Sequence, residues 1–210
     1  DATYYILECI MTGSTRAVDI EDYGFNKDIL RKVCVQLERI DTKEEYDYCH
    51  QLQSMLKKYN DSSTVTPLNI AYWEQNLNCN IDSLIGEKCL NKDLIVIRLG
   101  ENVHDKELFK TSILDLVNVC KKYTSNVIIT GCFWKNDSKE RSIIHAARTN
   151  DLTYVPLYWI DNLYNVRPQI GDTLYDINKK PYVITQDFII THPNDEGMQM
   201  IAETIWGVIR

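Results

Sequence analysis

DLIVIRLGENV, residues 93–103, decides how this chain folds. Residues 93–99 are a continuous, β-branched run. A strand with one wet face alternates apolar and polar side chains. A run without alternation reads as a parallel strand covered on both faces. Gly100-Glu101-Asn102 ends it at once. A helix follows over 105–122, where Phe109, Ile113, Leu116, Val117 and Cys120 share one apolar face. Strand, turn and helix together are the start of a βαβ crossover.

The alternation continues outward in both directions. Toward the C-terminus, NVIITGCF (126–133) reads as a strand, 137–148 as a helix and 152–157 as another strand. A Gly/Pro/Asn-rich stretch covers 162–181. The last helix spans 194–209, with Met198, Ile201, Ala202, Ile205 and Val208 on one face. Toward the N-terminus, TVTPLNI (64–70) is a short strand, and Pro67 suggests an edge position. Residues 44–59 form a helix, with Tyr48, Leu52, Met55, Leu56 and Tyr59 at helical spacing. YYILECIM (4–11) is the first strand, ended by Thr12-Gly13-Ser14-Thr15. Residues 16–41 are irregular and charged. The pattern predicts an α/β fold, a three-layer α/β/α sandwich on a mostly parallel, flavodoxin-like sheet of about five strands. With 210 residues and no repeat or linker, residues 1–210 read as a single domain.

Composition excludes several functions. Lys plus Arg is 23 and Asp plus Glu is 30, a net charge of -7. Nucleic-acid backbones need a basic stripe, so no nucleic-acid partner is expected. No apolar run reaches the ~20 residues of a membrane span. The seven cysteines are odd in number and none has C-x-x-C spacing, so a zinc knuckle or redox pair is not on offer. Cys9, Cys120 and Cys132 lie in apolar stretches and read as buried thiols. The chain begins at Asp1 rather than Met. That is consistent with processing and slightly favours export to the periplasm or the outside.

In open parallel sheets, ligands bind beyond the carboxyl ends of the strands. The segments there are 12–15, 69–73, 100–104, 133–136 and the loop before the last helix. They carry Ser14, Asn69, Ala71, Gly100, Asn102 and His192. Singly, Ser14 is a turn serine, His192-Pro193 neighbours a helix cap, and Gly100-Glu101-Asn102 is a strand-end turn. Jointly they supply nucleophilic acyl transfer: a hydroxyl, an imidazole to take its proton, and donors for an oxyanion. Glu101 either bonds loop backbone or contacts substrate. Tyr72, Trp73, Phe133 and Trp134 could stack on sugar rings or pack in the core. His50 and His145 sit within helices and read as structural, and His104 as solvent-facing. The acidic run 41–47 suits a helix N-terminus, and Lys57-Lys58 and Lys121-Lys122 suit helix C-termini.

DLIVIRLGENV (93–103) and THPNDEGMQMIAETI (191–205) resemble motifs of the SGNH (GDSL-like) esterase/lipase hydrolases. EEYDYCHQL (44–52) and LNIAYWEQN (68–76) look like the carbohydrate O-acetyl esterases among them. The resemblance implies an ester hydrolase acting on a small-molecule or glycan ester, without metal or organic cofactor. It implies Ser14 as nucleophile and His192 as base. Asn102 and the N–H groups of Ser14 and Ala71 would form the oxyanion hole, on a loop supported by Gly100 and Glu101. Three departures stand out. Thr12-Gly13-Ser14 replaces Gly-Asp-Ser, Ala71 replaces a glycine, and Ile189 occupies the place of the triad aspartate. Asp187 is the alternative third member. The expectation is a Ser-His dyad whose imidazole is oriented by a backbone carbonyl. The competing reading is a catalytically silent relative that binds a glycan or a protein. A nucleotide-binding module lacks the Gly-rich loop after the first strand.

Overall fold

The computed structural model describes residues 6–11, 47–175 and 181–209. Five strands form one sheet: β1 (Ile6–Met11), β2 (Thr64–Asn69), β3 (Leu94–Arg98), β4 (Val127–Thr130) and β5 (Thr153–Val155). Their order is β2-β1-β3-β4-β5 and every pairing is parallel. The class is the α/β class expected from the sequence. Chain order and sheet order diverge once, where the chain leaves β2 and crosses β1 to reach β3. The switch point therefore lies between β1 and β3, the place where such sheets open a crevice. Met11 is level with both Asn69 and Arg98, so three strand ends meet there.

The alternation along β3 sorts the helices into two layers. Ile95 and Ile97 face one cluster, with residues of α3 (Ile81–Cys89), α4 (Lys106–Tyr123) and α5 (Asp137–Thr149). Val96 faces the other, with Tyr48 and Leu52 of α1 (Tyr48–Tyr59) and Ile201 and Ile205 of α6 (Asp195–Ile209). Each fully buried Ile or Val contributes roughly 1.5–3 kcal/mol. This explains the unbroken apolar run at 94–97: both of its faces are core. No helix among the described residues is long and apolar enough to cross a membrane.

Several boundaries differ from the sequence reading. The helix expected from residue 44 begins at Tyr48, because Asp47 is its extended N-cap and accepts from the His50 N–H at 2.8 Å. Residues 44–46 lie outside the described residues. Tyr59 is 78% exposed rather than part of the apolar face, and its ring leans on Trp206. Two further helices and a hairpin were not expected. α2 (Ala71–Gln75) has only five residues. α3 is announced by its cap alone, Asn80 accepting from the Ser83 N–H at 3.1 Å. The hairpin β6 (Thr173–Tyr175) and β7 (Pro181–Val183) has strands too short to show alternation. Pro67 lies on β2, which is an edge strand as the proline suggested, a position where a residue without an N–H is tolerated.

Candidate active site

His192 is held by the turn that precedes it. Ile189–Thr191 form one 3-10 turn, anchored by the fully buried Ile189 side chain. The turn brings the Phe188 carbonyl to 3.0 Å from His192 Nδ1. A carbonyl only accepts, so Nδ1 carries the proton and Nε2 keeps its lone pair. The Thr191 hydroxyl donates to the same carbonyl at 2.7 Å and lies 3.3 Å from Nδ1. The Trp134 indole stands edge-on to the imidazole, with centroids 5.3 Å apart, and its Nε1–H donates to the Thr191 carbonyl at 2.7 Å. Burial pushes the imidazole below its ordinary range, while the Phe188 bond and the Glu101 charge oppose it. His192 is thus neutral at neutral pH, the state a general base needs.

The segment after His192 is equally fixed. Asn194 accepts from the Gly197 N–H at 2.9 Å and so caps α6. The Asn194 backbone N–H donates to the Val166 carbonyl at 2.9 Å, and its side chain donates to the Asn165 carbonyl at 2.7 Å. The HPND motif is therefore stapled to residues 165–166. Arg167 lies over the Phe133 ring and pairs with Asp161.

A second group assembles at the end of β3. Gly100 has φ +125°, and an added Cβ would meet Cys132 Sγ at 3.1 Å, so glycine is required for the turn. The turn presents Asn102, whose Nδ2 donates to Glu74 Oε2 at 3.0 Å. The Gly100 N–H donates to the other oxygen, Glu74 Oε1. Glu74 comes from α2 and is 1% exposed. Burial raises its carboxyl to about 7, assisted by Glu101 and opposed by the Gly100 and Asn102 bonds and by Lys139. On the same helix, the Ala71 N–H donates to Asn69 Oδ1 at 3.0 Å.

The two groups meet through Glu101. Its carboxylate pairs with the buried Arg98 guanidinium at 2.7 Å and accepts from the Phe133 N–H at 2.9 Å. Its carbonyl accepts from Lys139 Nζ at 2.6 Å. Arg98 in turn lies over the Tyr48 ring. Phe133 adjoins Trp134, which touches His192. Beside them Glu140 accepts from the Cys132 N–H and the Tyr154 hydroxyl.

Of the residues expected from the sequence, Gly100, Glu101 and Asn102 share one turn, and Ala71 joins them through α2. His192 joins through Trp134. Ser14 lies outside the described residues, beyond the carboxyl end of β1. Asp187 is exposed, one residue before the Phe188 whose carbonyl faces His192. Trp73 and Phe133 are core residues rather than sugar platforms, whereas Tyr72 is exposed. Sequence reasoning missed Glu74, Arg98, Lys139 and Glu140. Charges inside or beside apolar runs were the only signal. Two of them, Arg98 and Glu74, are 1% exposed.

No protein-family model matches the sequence, and no curated protein matches it. Several solved structures have a similar fold. One is a point mutant of Axe2, an acetyl-xylooligosaccharide esterase from Geobacillus, with TM-score 0.60, 13% identity, and 98% of this chain and 94% of that one covered. Another is LAE5, an alpha/beta hydrolase enzyme from the metagenome of Lake Arreo, Spain, with TM-score 0.59, 12% identity, and 99% and 95% covered. A third is a possible lipase from Chitinophaga pinensis, with TM-score 0.54, 13% identity, and 98% and 97% covered. At this identity the likeness is one of fold.

Proposed function

We propose that this chain is a serine ester hydrolase of the SGNH type that removes O-acetyl groups from a carbohydrate. The observation that carries the reading is His192: a neutral imidazole, its Nδ1 3.0 Å from the Phe188 carbonyl, its ring against Trp134 in the segment after β4. Ser14 follows the end of β1 by three residues, and β1 borders the switch point between β1 and β3. In the proposed reaction His192 Nε2 takes the Ser14 hydroxyl proton as Oγ attacks the ester carbonyl. The imidazolium then gives that proton to the leaving alcohol. Water, deprotonated by the same nitrogen, hydrolyses the acyl-enzyme. An amide nitrogen has two hydrogens, so Asn102 can bond Glu74 with one and meet the oxyanion with the other. Fold likeness to an acetyl-xylooligosaccharide esterase supports the acetyl and sugar assignments.

A second reading has one observation in its favour. The Ala71 N–H, expected in the oxyanion hole, is already donated to Asn69 Oδ1. That suits a silent protein of this fold that binds a glycan without cleaving it. Hydrolysis of 4-nitrophenyl acetate and acetylated xylooligosaccharides separates the two. Wild type should release acetate, and Ser14→Ala should abolish release with little change in Tm. Calorimetric binding of the oligosaccharide without acetate release by the wild type would establish the silent reading. Full turnover in Ser14→Ala would remove Ser14 as nucleophile.

A further inference from the structure

We propose that Glu74 is a positioning residue of the oxyanion hole, its ionised carboxylate setting the direction in which Asn102 presents its second N–H. The proposal rests on the role given to Asn102 above. The geometry is that of a clamp. One carboxylate, buried from α2, engages the turn after β3 twice, at the Gly100 N–H and at Asn102 Nδ2. An ionised carboxylate only accepts, so Asn102 must turn its amide nitrogen, not its oxygen, toward Oε2. The first N–H is thereby fixed, and the planar amide fixes the second. A protonated Oε2 would donate instead. The Asn102 amide would then turn its oxygen to Glu74, and the second N–H would leave its direction.

Charged neighbours decide which form prevails. Glu101 faces Glu74 from the same turn and opposes ionisation; Lys139 on α5 favours it. Arg98 on β3 spends its charge on Glu101 at 2.7 Å, and Cys132 beyond β4 is held as a neutral thiol by burial. Burial outweighs the favourable contacts, and the carboxyl titrates at about 7. His192 is pushed the other way, below 6.5. The two groups therefore place the acid limb of kcat/KM, which reports the free enzyme, at different pH values. A limb set by Glu74 falls near 7, and one set by His192 alone falls below 6.5.

The test is kcat/KM against pH, with kcat and KM also determined separately, for wild type, Glu74→Gln, Asn102→Ala and the double variant. Wild type should show an acid limb near pH 7. Glu74→Gln keeps the size of the side chain but presents a donor to Asn102. It should lower kcat roughly 10²-fold, the scale of losing one oxyanion donor, with KM little changed. Its remaining acid limb should fall below 6.5. In the Asn102→Ala background the same change should cost little more, because the two residues act as a unit. Additive losses, or a limb that stays near 7 in Glu74→Gln, would overturn the proposal. A second measurement does not depend on turnover. In Ser14→Ala protein the side-chain amide ¹H–¹⁵N signals of Asn102 should titrate near pH 7. A wild type that cleaves no ester while the amide titrates removes the hydrolase reading and keeps the clamp. Ester cleavage with a pH-independent Asn102 amide removes the clamp and keeps the hydrolase.

Discussion

A histidine works as a base at one nitrogen only if something holds the other. Here that is the Phe188 carbonyl, 3.0 Å from His192 Nδ1. The carbonyl orients the ring but stabilises an imidazolium less than a carboxylate does. The alternative acceptor, Asp187, is exposed, and Ile189 at the other candidate position is fully buried. In the proposed mechanism the Phe188 carbonyl fills the place at Nδ1, so Asp187 is expected to be dispensable. Asp187→Asn should change kcat/KM by less than about tenfold, under ~1.4 kcal/mol of transition-state stabilisation. His192→Ala should remove nearly all activity. Steady-state kinetics on an acetate ester decide the matter. A loss for Asp187→Asn approaching ~10⁴-fold would mean that the aspartate supports the imidazole during turnover. His192 is singled out in the sequence because HPND before a helix resembles a family motif. The carbonyl at Nδ1 is a consequence of one turn, and side-chain identities do not encode it.

The element that carries this motif is α6, and its first turn is pressed against another loop. A Cβ on Gly197 would lie 2.5 Å from the Val166 carbonyl and 2.9 Å from Pro193 Cβ. Backbone cannot yield there without moving the His192 turn, which is tied to the same loop through Asn194. Gly197→Ala should cost about 1–3 kcal/mol, the usual penalty for overpacking. It should also lower kcat/KM well below the melting range. Gly207, on the same helix, has nothing within 4 Å of an added Cβ. Gly207→Ala should leave kinetics unchanged and gain about 0.5–1 kcal/mol. Thermal melts and kcat/KM for both variants give the comparison, and equal kinetics in the two would uncouple the first turn of α6 from His192. At this scale legibility followed length. β3, α4 and α6 repeat their pattern often enough to be read. α2 has five residues and shows no period. Nothing in the local sequence marks Glu74 within it as buried. Its burial depends on a turn that arrives 26 residues later.

At the scale of the molecule, the topology explains why chemistry collects where it does. Residues 69–74, 98–102 and 133–139 follow β2, β3 and β4 and are tied together through Glu74, Glu101 and Lys139, and residues 188–192 reach them through Trp134. Alternation along single strands revealed the layers, but no local pattern reveals which loops meet. The meeting has an energetic signature. Loops that pack against one another take carboxyls out of water, and burial raises both Glu74 and Glu140. Glu74 gives the larger test. Its proton is released near 4.5 in the unfolded chain and near 7 in the folded one. Between those values the folded state holds more protons, so its contribution to stability is full below 4.5 and is lost as pH rises through about 7. His192 acts with the opposite sign. Its folded value lies below 6.5, so its contribution is present above 6.5 and is lost as pH falls through the folded value. A single curve of Tm against pH mixes the two. The difference between wild type and Glu74→Gln isolates the carboxyl, because His192 is common to both. From pH 4.5 to 8 the wild type should lose stability relative to the variant, by on the order of 3 kcal/mol. For a chain of this length that is several degrees in Tm. Thermal melts of the two proteins in parallel buffers measure it. A gap that stays constant across the window would mean that Glu74 ionises as easily in the folded protein as in the unfolded chain.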